Sequence, residues 1–219
     1  IVGRGHSPEH ACLYCEELGL LISGDQVLPR ISPHIGVYPT EPEADPLRQY
    51  LDSLPLFRPL PSDTLVLPAH NDPFRGLHQR VGALAEHHDQ RLAALLAACE
   101  RPKTAVEVLP VLFRRVLDEK SVFMAMGEAL AHLNYLIVEG RLARETGPDG
   151  VQRYLRSAAA ADAAWGVNGR GFPILSVMPG LDPVIDGQQR AWTRGSSPRV
   201  TVGSSRSAGR RYRATFRRT

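Results

Sequence analysis

Two hydrophobic periods share this chain, and the change from one to the other divides it. From His10 to Glu17, and again from Gly19 to Ser23, the runs are short, apolar and β-prone, with Glu16-Glu17-Leu18-Gly19 serving as a turn; together they predict a hairpin. Leu65 to Leu67 is a third short apolar run. Pro68 stops it and the polar Ala69-His70-Asn71-Asp72 follows, which predicts a buried strand delivering His70 at its end. Between these strands, Asp45-Pro46 opens a helix with Asp as cap and Pro at the first helical position. Leu47, Tyr50, Leu51 and Leu54 then give its apolar stripe.

Beyond Leu77 the period is helical. One helix runs towards Ala98 through Val81, Leu84, Leu92, Leu95 and Leu96, and Pro102 marks its end. Thr104-x-x-Glu107 is a capping box that predicts the start of the next helix. A third spans Lys120 to Glu139, closed by Gly140, with Phe123, Met126, Leu130, Leu133 and Ile137 as its predicted buried stripe. Arg141 to Arg144 and Val151 to Leu155, joined by a Gly-Pro-Asp-Gly turn, predict a hairpin. Three helices and a hairpin make a winged-helix-like unit over 84–156. Residues 1–83 form a separate sheet-bearing part, and the class is α+β.

After Arg156 the pattern decays into Ala, Gly, Ser, Pro and Arg without period, and 157–219 is expected to be mostly disordered. That segment holds ten Arg, no Lys and three Asp, so the chain's net charge of +3 belongs to its tail. Nucleic-acid contact through these arginines and a merely poorly ordered extension are both open. Three cysteines, Cys12, Cys15 and Cys99, are too few for a disulfide scaffold and suit a reducing, cytoplasmic setting. Cys12 and Cys15 are a C-x-x-C pair, but three residues apart on a strand they point to opposite faces, which disfavours a shared metal or redox role. No run approaches the roughly 18 apolar residues of a membrane helix, and no membrane partner is expected. The opening residues lack an initiator Met and a signal-peptide pattern, so the chain is expected to start within a domain.

Three short elements could carry chemistry: Gly5-His6-Ser7-Pro8, Ser23-Gly24-Asp25 and Pro68-Ala69-His70. Each sets a metal-binding side chain at a strand end or in a loop, where a rigid sheet can aim it at a shared point. Imidazole nitrogen and carboxylate oxygen both bind Zn²⁺ well, and two histidines with one aspartate suit a hydrolytic centre. His87-His88-Asp89 also clusters, but inside a helical pattern, and reads as helix surface and seam packing. His132 reads as a satisfied core or seam histidine, and His10 and His78 as solvated. His34 reads as an ordinary exposed loop histidine.

In combination these elements resemble the metallo-β-lactamase superfamily, especially its glyoxalase-II-like members and the β-lactamase-like group with a C-terminal winged helix. Ile31-Ser32-Pro33-His34, Asp45-Pro46-Leu47 and Glu128-Ala129-x-Ala131-His132-Leu133 extend the resemblance over 1–156. It implies the C-terminal half of an αββα sandwich, with His6 as ligand of a first metal, His70 of a second, and Asp25 bridging both. Asp25 would also orient the attacking water, and two Zn²⁺ or other divalent ions are implied. The superfamily's main signature, His-x-His-x-Asp-His, is absent from the sequence, so the chain is expected to be a fragment lacking that half of the site and inactive alone.

The resemblance implies a metal-dependent hydrolase acting through a metal-activated water on an ester, thioester or lactone, or on RNA as a nuclease of the same fold. The competing reading is a non-enzymatic winged-helix module that binds nucleic acid or protein. Lys120 to Glu139, with one Lys, two Glu and no Arg, offers little for direct DNA reading. A half sandwich would also expose sheet edges and an apolar face, favouring aggregation or pairing with another chain.

Overall fold

The computed structural model describes residues 1–114 and 116–158. Nearly all of the tail expected to be disordered, both tryptophans included, lies outside the described residues.

The first elements are short. β1 (Val2–Gly3) pairs antiparallel with β2 (His10–Ala11), and the loop between them carries His6. Gly5 sits in that loop at φ +95, where a Cβ would lie 2.5 Å from the Cβ of Tyr50. Only glycine allows both this backbone and so close an approach. The run expected as one strand over 10–17 is broken at Cys12 and resumes as β3 (Leu13–Cys15), which forms the predicted hairpin with β4 (Leu20–Gly24). Gly19 supplies the positive φ its turn requires.

β5 (Leu65–Pro68) lies alongside β4, but parallel to it. A parallel pair needs a crossover, and the chain between them provides it: α1 (Pro46–Ser53), capped by Asp45 as the sequence predicts, and the single-turn 3₁₀ segment Leu54–Phe57. Leu21 and Val66, on one face of this three-stranded sheet, are buried in the core with Leu51, Leu54 and Leu84. The other face carries the rows Leu13, Ile22, Leu67 and Cys15, Leu20, Leu65, matched by the strand register. Leu13 and Ile22 there are 64% and 46% exposed, so this face is apolar and open.

α2 (Leu77–Ala98) has the expected bounds. Thr104 and Glu107 form their reciprocal cap, yet no long helix follows; one turn leads to α3 (Leu109–Leu112). The cause is Pro110, which lacks the N–H that an α-helix begun at 105 needs to bond Val106. Leu109 bonds that carbonyl instead, in the tighter i to i−3 pattern.

α4 (Glu119–Val138) starts at Asp118, whose carboxylate accepts from Ser121 N while the Ser121 hydroxyl caps Asp118 N. It closes on Gly140 at φ +69, with Arg141 N bonding Leu136 O. The expected stripe is wrong at its start: Phe123 is 61% exposed, and burial begins at Ala125. From Glu128 to Leu136 nearly every position is buried, so spacing along the helix no longer marks one face. Among the described residues α4 alone is long and apolar enough to cross a membrane. Its buried Glu128, His132 and Asn134, each bonded to protein groups, mark it as a core helix.

The hairpin β6 (Leu142–Thr146) and β7 (Gln152–Arg156) follows as predicted. Arg156 N bonds Cys99 O, pinning the hairpin to the end of α2.

Candidate metal centre

Parallel pairing puts the C-terminal ends of β4 and β5 side by side, with Ala69 N bonded to Gly24 O across them. Asp25 follows the first strand and His70 the second, so both residues lie at the same end of the sheet. The loop between β1 and β2 brings His6 to that end. The three predicted residues are therefore brought together: His6 Nε2 lies 3.6 Å from Asp25 Oδ2, and His70 Nε2 lies 3.2 Å from Asp25 Oδ1. His6 and Asp25 are about a quarter exposed; His70 is 62% exposed at the rim.

The orientation of His6 is set from behind. Its Nδ1 donates to the backbone carbonyl of His34 at 2.8 Å, and since a carbonyl only accepts, Nδ1 carries the proton. In the neutral ring Nε2 is then a bare lone pair facing a carboxylate oxygen. Two such acceptors repel unless a cation lies between them or the ring takes a second proton. This is the donor arrangement in which a ligating histidine gives its other N–H to a carbonyl, and it fits a divalent metal. Each Asp25 oxygen has one imidazole. Among the described residues, however, no group of three or more His, Cys, Asp or Glu side chains is placed to hold a metal ion.

Two residues missed in the sequence secure Asp25. His10, expected to be solvated, is half-buried, and its Nε2 accepts from Asp25 N at 3.1 Å. Its ring fills the space a Cβ on Gly24 would need. Burial lowers the His10 pKa and the neighbouring His6 lowers it further, against the opposing pull of Asp25. Gln26, fully buried, donates to Arg4 O and to Ser53 Oγ, tying the residue after Asp25 to the chain just past β1 and to the end of α1. Neither carried a signal in the sequence: i, i+4 spacing joins side chains only on a helix, and His6 and His10 lie in a loop and a strand.

The remaining candidates lie elsewhere. His88 and His132 are fully buried between α2 and α4, Nδ1 of the first 3.1 Å from Nε2 of the second. Burial, then the Arg91 charge, pushes His132 down to about 4. His34 is mostly buried, with Nδ1 3.8 Å from Glu128 Oε2. His78 is exposed and bonds Leu60 O. Cys12 is buried, Cys15 half-buried, and all three cysteines are free thiols; burial raises the Cys12 thiol to about 11.

Residues 92–158 match the family described as metallo-beta-lactamase-like, C-terminal domain. The "Probable metallo-hydrolase YqjP" of Bacillus subtilis (strain 168) is 29% identical over 143 residues, covering 62% of this chain and 43% of that protein. A crystal structure of a beta-lactamase domain protein from Burkholderia ambifaria superposes with a TM-score of 0.70 at 52% identity, covering 72% of this chain and 47% of the other. A metallo-beta-lactamase family protein from Thermus thermophilus gives 0.61 at 38%, covering 71% and 48%. The chain thus spans a little under half the length of each of these relatives.

Proposed function

We propose, from the fact that this chain belongs to the metallo-β-lactamase superfamily, that it supplies one half of a two-metal hydrolytic centre. The observation that carries this reading is the Asp25 carboxylate with one imidazole on each oxygen. His6 and Asp25 Oδ2 would hold one metal, His70 and Asp25 Oδ1 the other, and the N/O donor set suits Zn²⁺. Such a metal pair, when bound, lowers the pKa of a water and polarises the scissile group. Asp25 would keep the two positions in register and orient the attacking water. His10 and Gln26 hold Asp25 in place.

Two donors per position leave each short of the four that zinc takes, and the family's His-x-His-x-Asp-His motif does not occur in the 219 residues. We therefore read the chain alone as hydrolytically inactive and expect the missing ligands from a motif-bearing segment. The open apolar face beside the site gives a second sheet layer somewhere to pack. The substrate classes are an ester, thioester or lactone, or RNA. We read residues 84–156 as the winged-helix-like module beside the cleft, and the free thiols as the mark of a cytoplasmic protein. The ten arginines of 157–219 favour, as a second reading, a module that binds nucleic acid.

The test is zinc titration of the chain alone and of the chain joined to a segment carrying the motif. About two equivalents of metal bound only in the joined protein, and lost in Asp25→Ala with the helices still folded, is the expected result. Metal retained at full stoichiometry in Asp25→Ala removes the assignment.

A further inference from the structure

The carbonyl that orients His6 belongs to His34, in a stretch from Ile31 to Val37 without regular secondary structure. A carbonyl in such a stretch orients a ligand only as well as its own peptide is held. Two helices hold it. From α2, Arg80 donates to Leu28 O at 2.5 Å and to Ile31 O at 2.8 Å. From α4, Gly127 O accepts from Val37 N at 2.9 Å, and a Cβ on Gly127 would come within 3.0 Å of Val37 O. The His34 ring folds back over Gly36, where its Nε2 occupies the place of a Cβ.

At the centre of this docking stands Glu128, 3% exposed. One of its oxygens is bonded by Arg91; the other lies 3.8 Å from His34 Nδ1, near enough for attraction though too far for a direct hydrogen bond. Arg91 is fixed in turn by Leu112 O and by the Phe113 ring, 5.1 Å away. Burial alone would push the Glu128 carboxyl up, but the His34 imidazole and the Arg91 charge outweigh it and hold it below the usual carboxylate range. A buried ion pair is a weak device for stability, since well-packed apolar residues do as well or better. Here the charge faces the side chain of the residue whose carbonyl orients His6.

We propose that Glu128, braced by Arg91, is a positioning residue that acts through His34 to fix the orientation of His6. The inference rests on His6 being a metal ligand only for its consequence; the orientation itself can be read without metal. The C-terminal helices would then set the geometry of a centre none of whose donors they supply.

The full chain, ¹⁵N-labelled at histidine, tests this by imidazole NMR, with cobalt affinity read in parallel in the motif-bearing protein. Wild type should show His6 as a single Nδ1–H tautomer. His34→Ala should leave His6 as a tautomer mixture and weaken cobalt binding about 10-fold or more. The paired change Arg91→Met with Glu128→Leu keeps the seam filled and uncharged and so avoids simple unfolding; it should give the same result. An unchanged His6 tautomer in both variants overturns the proposal. If the tautomer shifts while no protein binds cobalt, the positioning role stands and the metal reading fails.

Discussion

The backbone N–H of Asp25 donates to Nε2 of His10 across 3.1 Å, so the His10 ring fixes the residue that stands between two imidazoles. His10→Ala leaves that amide unpaired and frees the turn after β4. Metal affinity in the motif-bearing protein should fall about 10- to 100-fold, against a stability loss of only about 1 kcal/mol. Calorimetric zinc titration and urea unfolding of the same variant separate the two effects.

Acid should destabilise the protein well above the range where carboxylates titrate. Burial depresses His132 to about 4, His87 to about 3, and His88 well below its ordinary value of 6.5. Between roughly pH 6.5 and 4 the unfolded chain therefore binds protons that the folded one refuses, and stability rises with pH across that window. Its contribution is intact above 6.5 and should decline by a few kcal/mol on descending to pH 4. Urea midpoints at pH 7, 5.5 and 4 give the slope; a flat profile contradicts neutral buried histidines.

Glu128→Ala strands the Arg91 guanidinium, 7% exposed, without its carboxylate. Removing one partner of a buried pair costs about 3–5 kcal/mol, enough to unfold a marginal domain. Arg91→Met/Glu128→Leu should recover most of that loss. Denaturant melts of the two proteins side by side check both statements.

Ile22 projects from the open sheet face next to Leu13 and Leu67. An uncovered apolar ladder of this kind should draw copies of the chain together. Ile22→Lys is expected to lower the apparent mass in light scattering at high concentration without changing the melting behaviour. Equal association of both proteins would show that this face is not what brings copies together.

Much of the fold was legible because short-range physics decides it. Asp45-Pro46 capped a helix, the Gly-Pro-Asp-Gly turn closed a hairpin, and α2 kept its bounds, each from residues within a few positions of one another. The misreadings were of another kind. Pro110 cut short a helix that Thr104 and Glu107 do cap, since one missing N–H outweighs a good start. Phe123 lies on the predicted stripe of α4, but only neighbours distant in sequence determine that its turn stays uncovered. The candidate site divides in the same way. His6, Asp25 and His70 stood out as side chains of metal-binding type in a loop and just past two strand ends, and the structure brings them together. His10, Gln26 and Glu128 did not, because each matters through a contact with a residue 15 or more positions away. The parallel sense of β4 and β5, which brings Asp25 to His70, had no local signature at all.

That parallel sense also orders the assembly of the chain in time. The antiparallel hairpins β3–β4 and β6–β7 close over a handful of residues, whereas Leu20 meets Leu65 only after the intervening crossover has folded back. Contacts of such long separation form late, after local ones have reduced the entropy of closing the loop. Asp25 and His70 sit just past the ends of the strands that pair last. A chain still emerging from synthesis, or one partly unzipped, therefore lacks this convergence of Asp25 and His70, and the proposed metal capture would follow closure of the sheet.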